Sequence, residues 1–459
     1  MPGYKGQVPI GLVVFFFILA CFIPFLILGF PIQKSFVGLI AITLFAVAFL
    51  NTDIALILVI LSMLLSPELR AGQLASRNIN VRAEDLFIFV IFFAWMAKMA
   101  VKKELGVVRR NPLNGPIMIY ILICVVSSLN GMIAGRVQFR EAFFYLLKYF
   151  EYFLIFFMVG NNLHTSRQLK TYVFFIILTC LIVCLIAWVQ IPSGERISAP
   201  FESEGGEPNT FAGYLLLMMS LMLGFFIYAQ KRKEKIFWFG SFVFAFVPFV
   251  MTMSREGWVS IVPMLLVYII LSRRARYPLL FFLIMAALLL PYVTPQKVRD
   301  RAQDTFAKEK TYTFAGRKIH VSESTAARIE AWRLAMQKLS MRPVIGAGVP
   351  GGSVIDNQYV RVLIETGFLG FTAFMWMISQ LFRMAVRVYK QSSDDFARSL
   401  SIGFICGFIA LLTQSMGGAV FILIRVMEPF WFLAAMVLAM PEVVAEEKAS
   451  VQEGQQHAV

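Results

Sequence analysis

The chain has 459 residues, of which 59% are apolar, 15% aromatic and only 15% charged, against about 25% charged and 45–50% apolar in a soluble domain. The buried fraction levels off as chains lengthen, so a water-soluble fold of this size has no interior for so much apolar surface. Composition therefore excludes soluble, disordered, collagen-like and disulfide-scaffold proteins and predicts an all-α polytopic membrane protein. The net charge of +15 reads as a topology signal with attraction to anionic headgroups; no aromatic-basic platform accompanies it, and nucleic acid is not expected as a partner.

In chain order, apolar runs fall at about 9–30, 35–50, 53–66, 84–101, 115–134, 141–160, 170–190, 209–229, 236–253, 257–272, 278–294, 358–384, 397–416 and 419–440. They predict about 12–14 transmembrane helices, the second and third runs forming a bent or re-entrant pair around Asn51-Thr52-Asp53. No cleavable signal peptide is expected, the first run being too long for one. Basic clusters at Lys102-Lys103 with Arg109-Arg110, Arg167 and Lys170, Lys231 to Lys235, Arg273 to Arg276, and Arg383, Arg387 and Lys390 recur at every second loop. The positive-inside rule turns all five toward the cytoplasm, with both termini inside. Four regions are expected: an N-terminal transmembrane bundle (1–294), a long external loop (295–357), C-terminal transmembrane helices (358–440) and a short acidic cytoplasmic tail (441–459).

The external loop is basic against the topological trend, which asks for an anionic ligand or for headgroup attraction. Within it Ile329, Trp332, Ala335, Met336 and Leu339 share one face of an amphipathic helix over 324–339, with Ser324 as N-cap. Gly346-Ala347-Gly348-Val349-Pro350-Gly351-Gly352 follows Arg342-Pro343. Such a stretch permits positive φ or close backbone approach, and offers N–H groups to an anion. No internal repeat is visible.

The five cysteines lie in apolar runs and read as packing residues, and the three histidines have no metal-ligand spacing. Charges within spans are costly and are functional candidates by default. Lys148/Glu151, Arg361/Glu365 and Arg425/Glu428 stand at helical spacings, either as packing ion pairs or as the lining of a polar cavity. Arg255 has only Glu256 beside it and suits a diphosphate, or snorkels to headgroups. Asp356 is a candidate base for an acceptor hydroxyl, with Glu365 as second choice, or an N-cap for the following helix. His320 is a further candidate for acceptor contacts.

Over about residues 140–435 the chain resembles the O-antigen ligase and polysaccharide polymerase superfamily of bacterial inner membranes. The resemblance rests on Pro208-Asn209 with Ala212, Ser254-Arg255-x-Gly257, Arg328-x-x-x-Trp332, and Arg342-Pro343-x-x-Gly346-x-Gly348. It continues in Asp356-Asn357-x-Tyr359 and Glu365-x-Gly367-x-x-Gly370. It implies a GT-C-like, metal-independent inverting glycosyltransferase without cofactor, acting at the periplasmic face on glycans carried by undecaprenyl diphosphate. Arg255 and Arg328 match the arginines that handle the diphosphate. With Asp356 they form the implied catalytic set, and Arg342, Asn357, Tyr359, Arg361, Glu365, Pro208 and Asn209 the substrate-binding set. The ligase branch carries His where this chain has Asp356, so the resemblance is closer to O-antigen or exopolysaccharide polymerases. Implied partners are the lipid-linked glycan donor and acceptor, membrane lipids, a chain-length regulator and a flippase. The alternatives are a ligase passing a finished glycan to a lipid or protein and, from another class, a transporter of lipid-linked glycans.

Overall fold

The computed structural model describes residues 32–66, 68–74, 77–102, 111–200, 207–293, 309–314, 317–351 and 355–456. Of the predicted runs only 9–30 lies outside them, and each of the others coincides with a helix. These are α1 (Ile32–Leu50), α2 (Thr52–Leu65), α3 (Ala83–Lys102), α4 (Asn114–Ile133), α5 (Phe139–Asn162), α6 (Ser166–Gln190) and α7 (Pro208–Tyr228). After them come α8 (Arg232–Met251), α9 (Arg255–Leu271), α10 (Arg276–Val293), the loop helix α11 (Glu323–Met341), α12 (Gln358–Gln391), α13 (Asp395–Gln414) and α14 (Ile424–Gln456). Among the described residues, 8 of these helices are long and apolar enough to cross a membrane. The chain is an all-α polytopic membrane protein.

Three local features depart from the expectation. Two antiparallel hairpins, β1 (Glu68–Leu74) with β2 (Arg77–Arg82) and β3 (Glu309–Phe314) with β4 (Arg317–Ser322), each run directly into a helix, α3 and α11. Helix α11 begins at Glu323, so Ser324 is its second residue and not its cap. The predicted tail does not leave the bundle at 441: α14 continues to Gln456, with Val443 fully buried and Glu447 accepting bonds from Ser166 N and Oγ at 2.7 and 2.6 Å. The short pair α1 and α2 breaks at Asn51, whose Oδ1 accepts from the amides of Asp53 and Ile54 at 3.0 and 3.3 Å and caps α2.

In α7 nearly every side chain is buried, and α13 packs tightly against it. Small residues allow the approach: a Cβ on Gly403 would stand 2.8 Å from Leu221 Cα, and one on Gly224 would stand 2.5 Å from the Ser399 carbonyl. Lipid tails are as apolar as leucine, so close backbone packing and interhelical hydrogen bonds hold such helices together. Here Ser220 Oγ donates to the Gly403 carbonyl at 2.6 Å and Tyr268 OH to the Ser220 carbonyl at 2.5 Å.

Contacts between helix ends, among them Lys170 over the Phe396 ring, gather the described basic clusters at one end of the bundle. Gln168 and Tyr172 at the start of α6 donate to Asp53 at the start of α2, at 2.6 and 2.8 Å. Tyr228 at the end of α7 meets Tyr389 near the end of α12 at 2.7 Å, and Arg274 pairs with Asp395 at 3.1 Å. The turns after α6, α8, α11 and α13 therefore lie at the opposite end.

Candidate functional site

At that opposite end the turn 415–423 between α13 and α14 is a hub. Asn357 Nδ2 donates to the Met416 carbonyl at 2.8 Å, the Gln358 amide to the Ser415 carbonyl at 3.0 Å, and the Phe421 amide to Gln358 Oε1 at 3.1 Å. Tyr359 OH reaches the Leu412 carbonyl at 2.8 Å. On the other side, Gln414 Nε2 donates to the Asn209 carbonyl at 2.8 Å, and the Glu256 side chain occupies the space beside Gly417. One turn thus joins the N-terminal ends of α7, α9, α12 and α14. Helix N-termini carry partial positive charge from unsatisfied N–H groups, so their gathering favours an anion.

The sequence motifs acquire physical reasons here. Pro208 opens α7, where its missing N–H costs nothing. Ser254 is buried and caps α9, its Oγ accepting from the Gly257 amide at 3.3 Å, which makes Arg255 the first helical residue. A Cβ on Gly257 would stand 3.2 Å from Ala212 Cβ, so the Ser254-Arg255-x-Gly257 and Pro208-Asn209 elements meet face to face. Arg255 is partly buried at the positive end of a helix, where a cation opposes the dipole. The preceding turn holds Met253 at φ +51°, a conformation that costs energy for a side chain with a Cβ and clusters at functional sites.

Asp356 and Asn357 divide their work. Asn357 is the cap of α12, its Oδ1 accepting from the amides of Tyr359 and Val360 at 3.0 and 3.1 Å. Asp356 is exposed and is not the cap. With its amide group used on both sides, Asn357 supports the turn instead of offering itself to a ligand.

Arg361 and Glu365 form a buried ion pair, 2.9 Å from Nε to Oε1, with side chains 7% and 4% exposed. The Tyr145 ring of α5 meets two cations, with the Arg361 guanidinium 5.4 Å and Lys148 Nζ 5.7 Å from its centre, which brings two of the predicted intramembrane sets together. The Glu365 side chain packs close to Gly351, where an added Cβ would stand 3.2 Å from Glu365 Cγ. Below this pair α12 breaks at Gly367, φ +67°, and the stretch after α11 fills the break. Ala347 N donates to the Ile364 carbonyl at 2.8 Å, Gly348 N to the Glu365 carbonyl at 2.9 Å and Phe368 N to the Pro343 carbonyl at 2.8 Å. Gly346, φ +80°, lies so close that a Cβ would stand 2.6 Å from the Glu365 backbone. The amides of Ala347 and Gly348 are thus committed to α12, which corrects the expectation that they serve an anion.

Arg342 is exposed at the end of α11, and Arg328 lies in the first half of that helix, its side chain outside the described residues. Ala335 of α11 packs on Ile355 and Ile364, seating the helix beside Asp356. Its predicted apolar face is only partly covered: Leu339 is buried, whereas Trp332 and Met336 remain 39% and 46% exposed. That suits a helix resting in the headgroup layer. His320 is in β4 opposite Thr311, its side chain also outside the described residues. In α14, Arg425 is 1% exposed and donates to the Pro200 carbonyl at 2.7 Å.

Sequence reasoning passed over Arg196 and Gln414. The Arg196 guanidinium joins Asn209 Oδ1 at 2.9 Å to the Thr252 carbonyl at 3.0 Å, tying the start of α7 to the turn that presents Arg255. An arginine in an acidic loop and a glutamine at a span end carry no periodic or motif signal.

The geometry defines a multi-pass membrane protein with its chemistry-bearing residues collected at the end opposite its basic clusters. Residues 240–375 match the family model described as O-antigen ligase, and this match supports the chain's likeness to the O-antigen ligase and polymerase superfamily, whose members are glycosyltransferase-like enzymes. The matched segment includes Arg255, Arg328, Arg342 and Asp356 through Gly370 but not Arg196, Asn209 or the 415–423 hub. No curated protein matches the chain.

Proposed function

We propose that the protein is a polysaccharide polymerase of the bacterial inner membrane, extending a glycan carried on undecaprenyl diphosphate at the periplasmic face by an inverting, metal-independent transfer. The observation that carries this reading is the meeting of four helix N-termini, Arg255 and exposed Asp356 around one turn. A diphosphate leaving group needs gathered positive charge, and an acceptor hydroxyl needs an orienting carboxylate.

In the proposed step the acceptor hydroxyl attacks the anomeric carbon of the donor sugar while the bond from that carbon to the diphosphate oxygen breaks. The electron pair leaves on undecaprenyl diphosphate, and the hydroxyl proton passes to Asp356. Arg255 and Arg328 stabilise the charge growing on the leaving group. Removing a donor of this kind costs about 10²–10³ in rate. Arg361 and Glu365 act at a distance, since their charges are spent on each other. The aspartate at 356, where the ligase branch has histidine, favours the polymerase over the ligase.

The test is reconstitution in liposomes with purified lipid-linked oligosaccharide. Longer lipid-linked chains and free undecaprenyl diphosphate are expected, unchanged by chelator and lost in Arg255→Ala and Arg328→Ala at normal protein levels. Turnover persisting in both variants overturns the arginine assignment. Transfer only to an acceptor without the lipid diphosphate makes the protein a ligase, and translocation without bond formation makes it a transporter.

A further inference from the structure

At the basic end of the bundle α6, α7, α8 and α13 line an open pocket of about 450 Å³, within the roughly 300–1,000 Å³ range of small-ligand sites. It shares helices with the candidate site but lies at their other ends: Lys170 against Gln190 on α6, Tyr228 against Asn209 on α7, Asp395 against Gln414 on α13. Its body is apolar, walled by Val173, Ile177, Leu181, Phe225 and Trp238, and its polar groups, Lys170, Gln230, Glu234 and Asp395, stand together near the helix ends.

The two acids of this mouth are already engaged. Asp395 pairs with Arg274 at 3.1 Å and accepts from Gln230 Nε2 at 2.6 Å, and Glu234 stands 3.6 Å from Lys231. Lys170 holds its ammonium over the Phe396 ring at 5.9 Å, and Lys231 to Lys235 and Arg273 to Arg276 follow the α7 and α9 ends around it. Apolar walls give a water too few hydrogen-bond partners to hold it in the interior, whereas an alkyl chain fills it at no polar cost. The cationic surroundings favour an anionic head at the mouth.

We propose that this cavity binds one acyl chain of an anionic phospholipid from the leaflet at the basic end, with the lipid phosphate at Lys170. The site is independent of the transfer chemistry. It places a lipid wedge between α6 and the α7–α13 pair that carries Asn209 and Gln414 at its far end.

Trp238 in the wall supplies the readout. Full-length protein in phosphatidylcholine nanodiscs is titrated with phosphatidylglycerol brominated on its acyl chain, and the Trp238 signal is isolated by difference against Trp238→Phe. Quenching is expected to saturate and to be reversed by unbrominated phosphatidylglycerol. Lys170→Ala should raise the midpoint about fivefold, the effect of one lysine beside an anionic head. Filling the slot with Leu178→Phe and Leu181→Phe should abolish the saturating phase, and native mass spectrometry should show one phosphatidylglycerol retained by the wild type and none by the filled variant. Quenching linear in lipid fraction, equal for brominated phosphatidylcholine and unchanged in the filled variant, means ordinary lipid contact and overturns the proposal.

Discussion

Asp356 and Asn357 are neighbours in sequence and separate in function. Asn357 spends its side chain on three backbone groups, so Asn357→Ala should cost about 0.5–2 kcal/mol of stability, seen as a lower unfolding midpoint in detergent, with turnover per folded molecule changed little. Asp356→Asn should leave the midpoint in place and lower turnover about 10²–10⁴-fold, the range for loss of a general base. A loss of stability in Asp356→Asn with intact turnover would reverse the assignment. The Arg361–Glu365 pair behaves differently again. Removing one partner of a buried pair strands the other charge, at about 3–5 kcal/mol, whereas replacing both by apolar residues of similar size is often neutral. Accordingly, Glu365→Ala should accumulate poorly and melt early, and the double replacement Arg361→Met with Glu365→Leu should recover most of that loss. Were both side chains substrate ligands, the single variant would instead fold normally and fail only in turnover. The sequence displays the Asp-Asn dipeptide and the i,i+4 spacing plainly. Which residue caps and which remains exposed depends on where the helix starts, and a motif does not carry that single-residue register.

At the scale of elements, the thirteen predicted runs within the described residues all emerge as helices, because long apolar runs are a signal few accidents imitate, although only 8 of these helices are long and apolar enough to span by themselves. The hairpins preceding α3 and α11 escaped prediction because their alternation is short: Ile79 and Val81, Tyr312 and Phe314, and Ile319 and Val321 alternate with polar residues, but two apolar positions per strand make a weak signal. Packing was legible only after the fold was known. The α7–α13 contact depends on glycines that look alike in sequence and differ in surroundings. A Cβ on Gly403 meets the Leu221 backbone at 2.8 Å, while one on Gly240 of α8 meets nothing within 4 Å. Gly403→Val should therefore lower stability by at least the ~1–3 kcal/mol of an overpacked core. Gly240→Ala should be neutral or raise stability by up to about 1 kcal/mol, through the helix propensity of alanine. Thermal unfolding of the two variants side by side separates close approach from propensity, and equal behaviour would mean that α13 does not lie against α7 as described. The break at Gly367 follows the same logic: the Arg342-Pro343-x-x-Gly346 and Glu365-x-Gly367 motifs, twenty residues apart, are two halves of one backbone joint.

For the whole molecule the +15 charge resolves into two populations with different physical work. Helix-end contacts such as Gln168–Asp53, Tyr228–Tyr389 and Arg274–Asp395 hold the regularly spaced clusters at one end, where topology alone demands them. Arg196, Arg255 and Arg342 stand at the other end, where topology does not. Cytoplasmic enrichment in Lys and Arg predicts the direction of the bundle, and the proposed polymerase reading depends on that direction. Two exposed serines test this without touching the site: Ser193 follows α6 at the candidate-site end, and Ser393 lies between α12 and α13 at the basic end. The cysteines among the described residues, Cys124, Cys180, Cys184 and Cys406, are all buried, so an introduced thiol stands out against a quiet background. In intact cells with a permeabilised outer membrane, an impermeant maleimide should label Ser193→Cys, and Ser393→Cys only after the inner membrane is opened. The opposite pattern would turn the candidate site toward the cytoplasm. The N-terminal helix ends around Arg255 would then face nucleotide-activated sugars instead of lipid-linked glycans, and the polymerase reading would fall with the orientation.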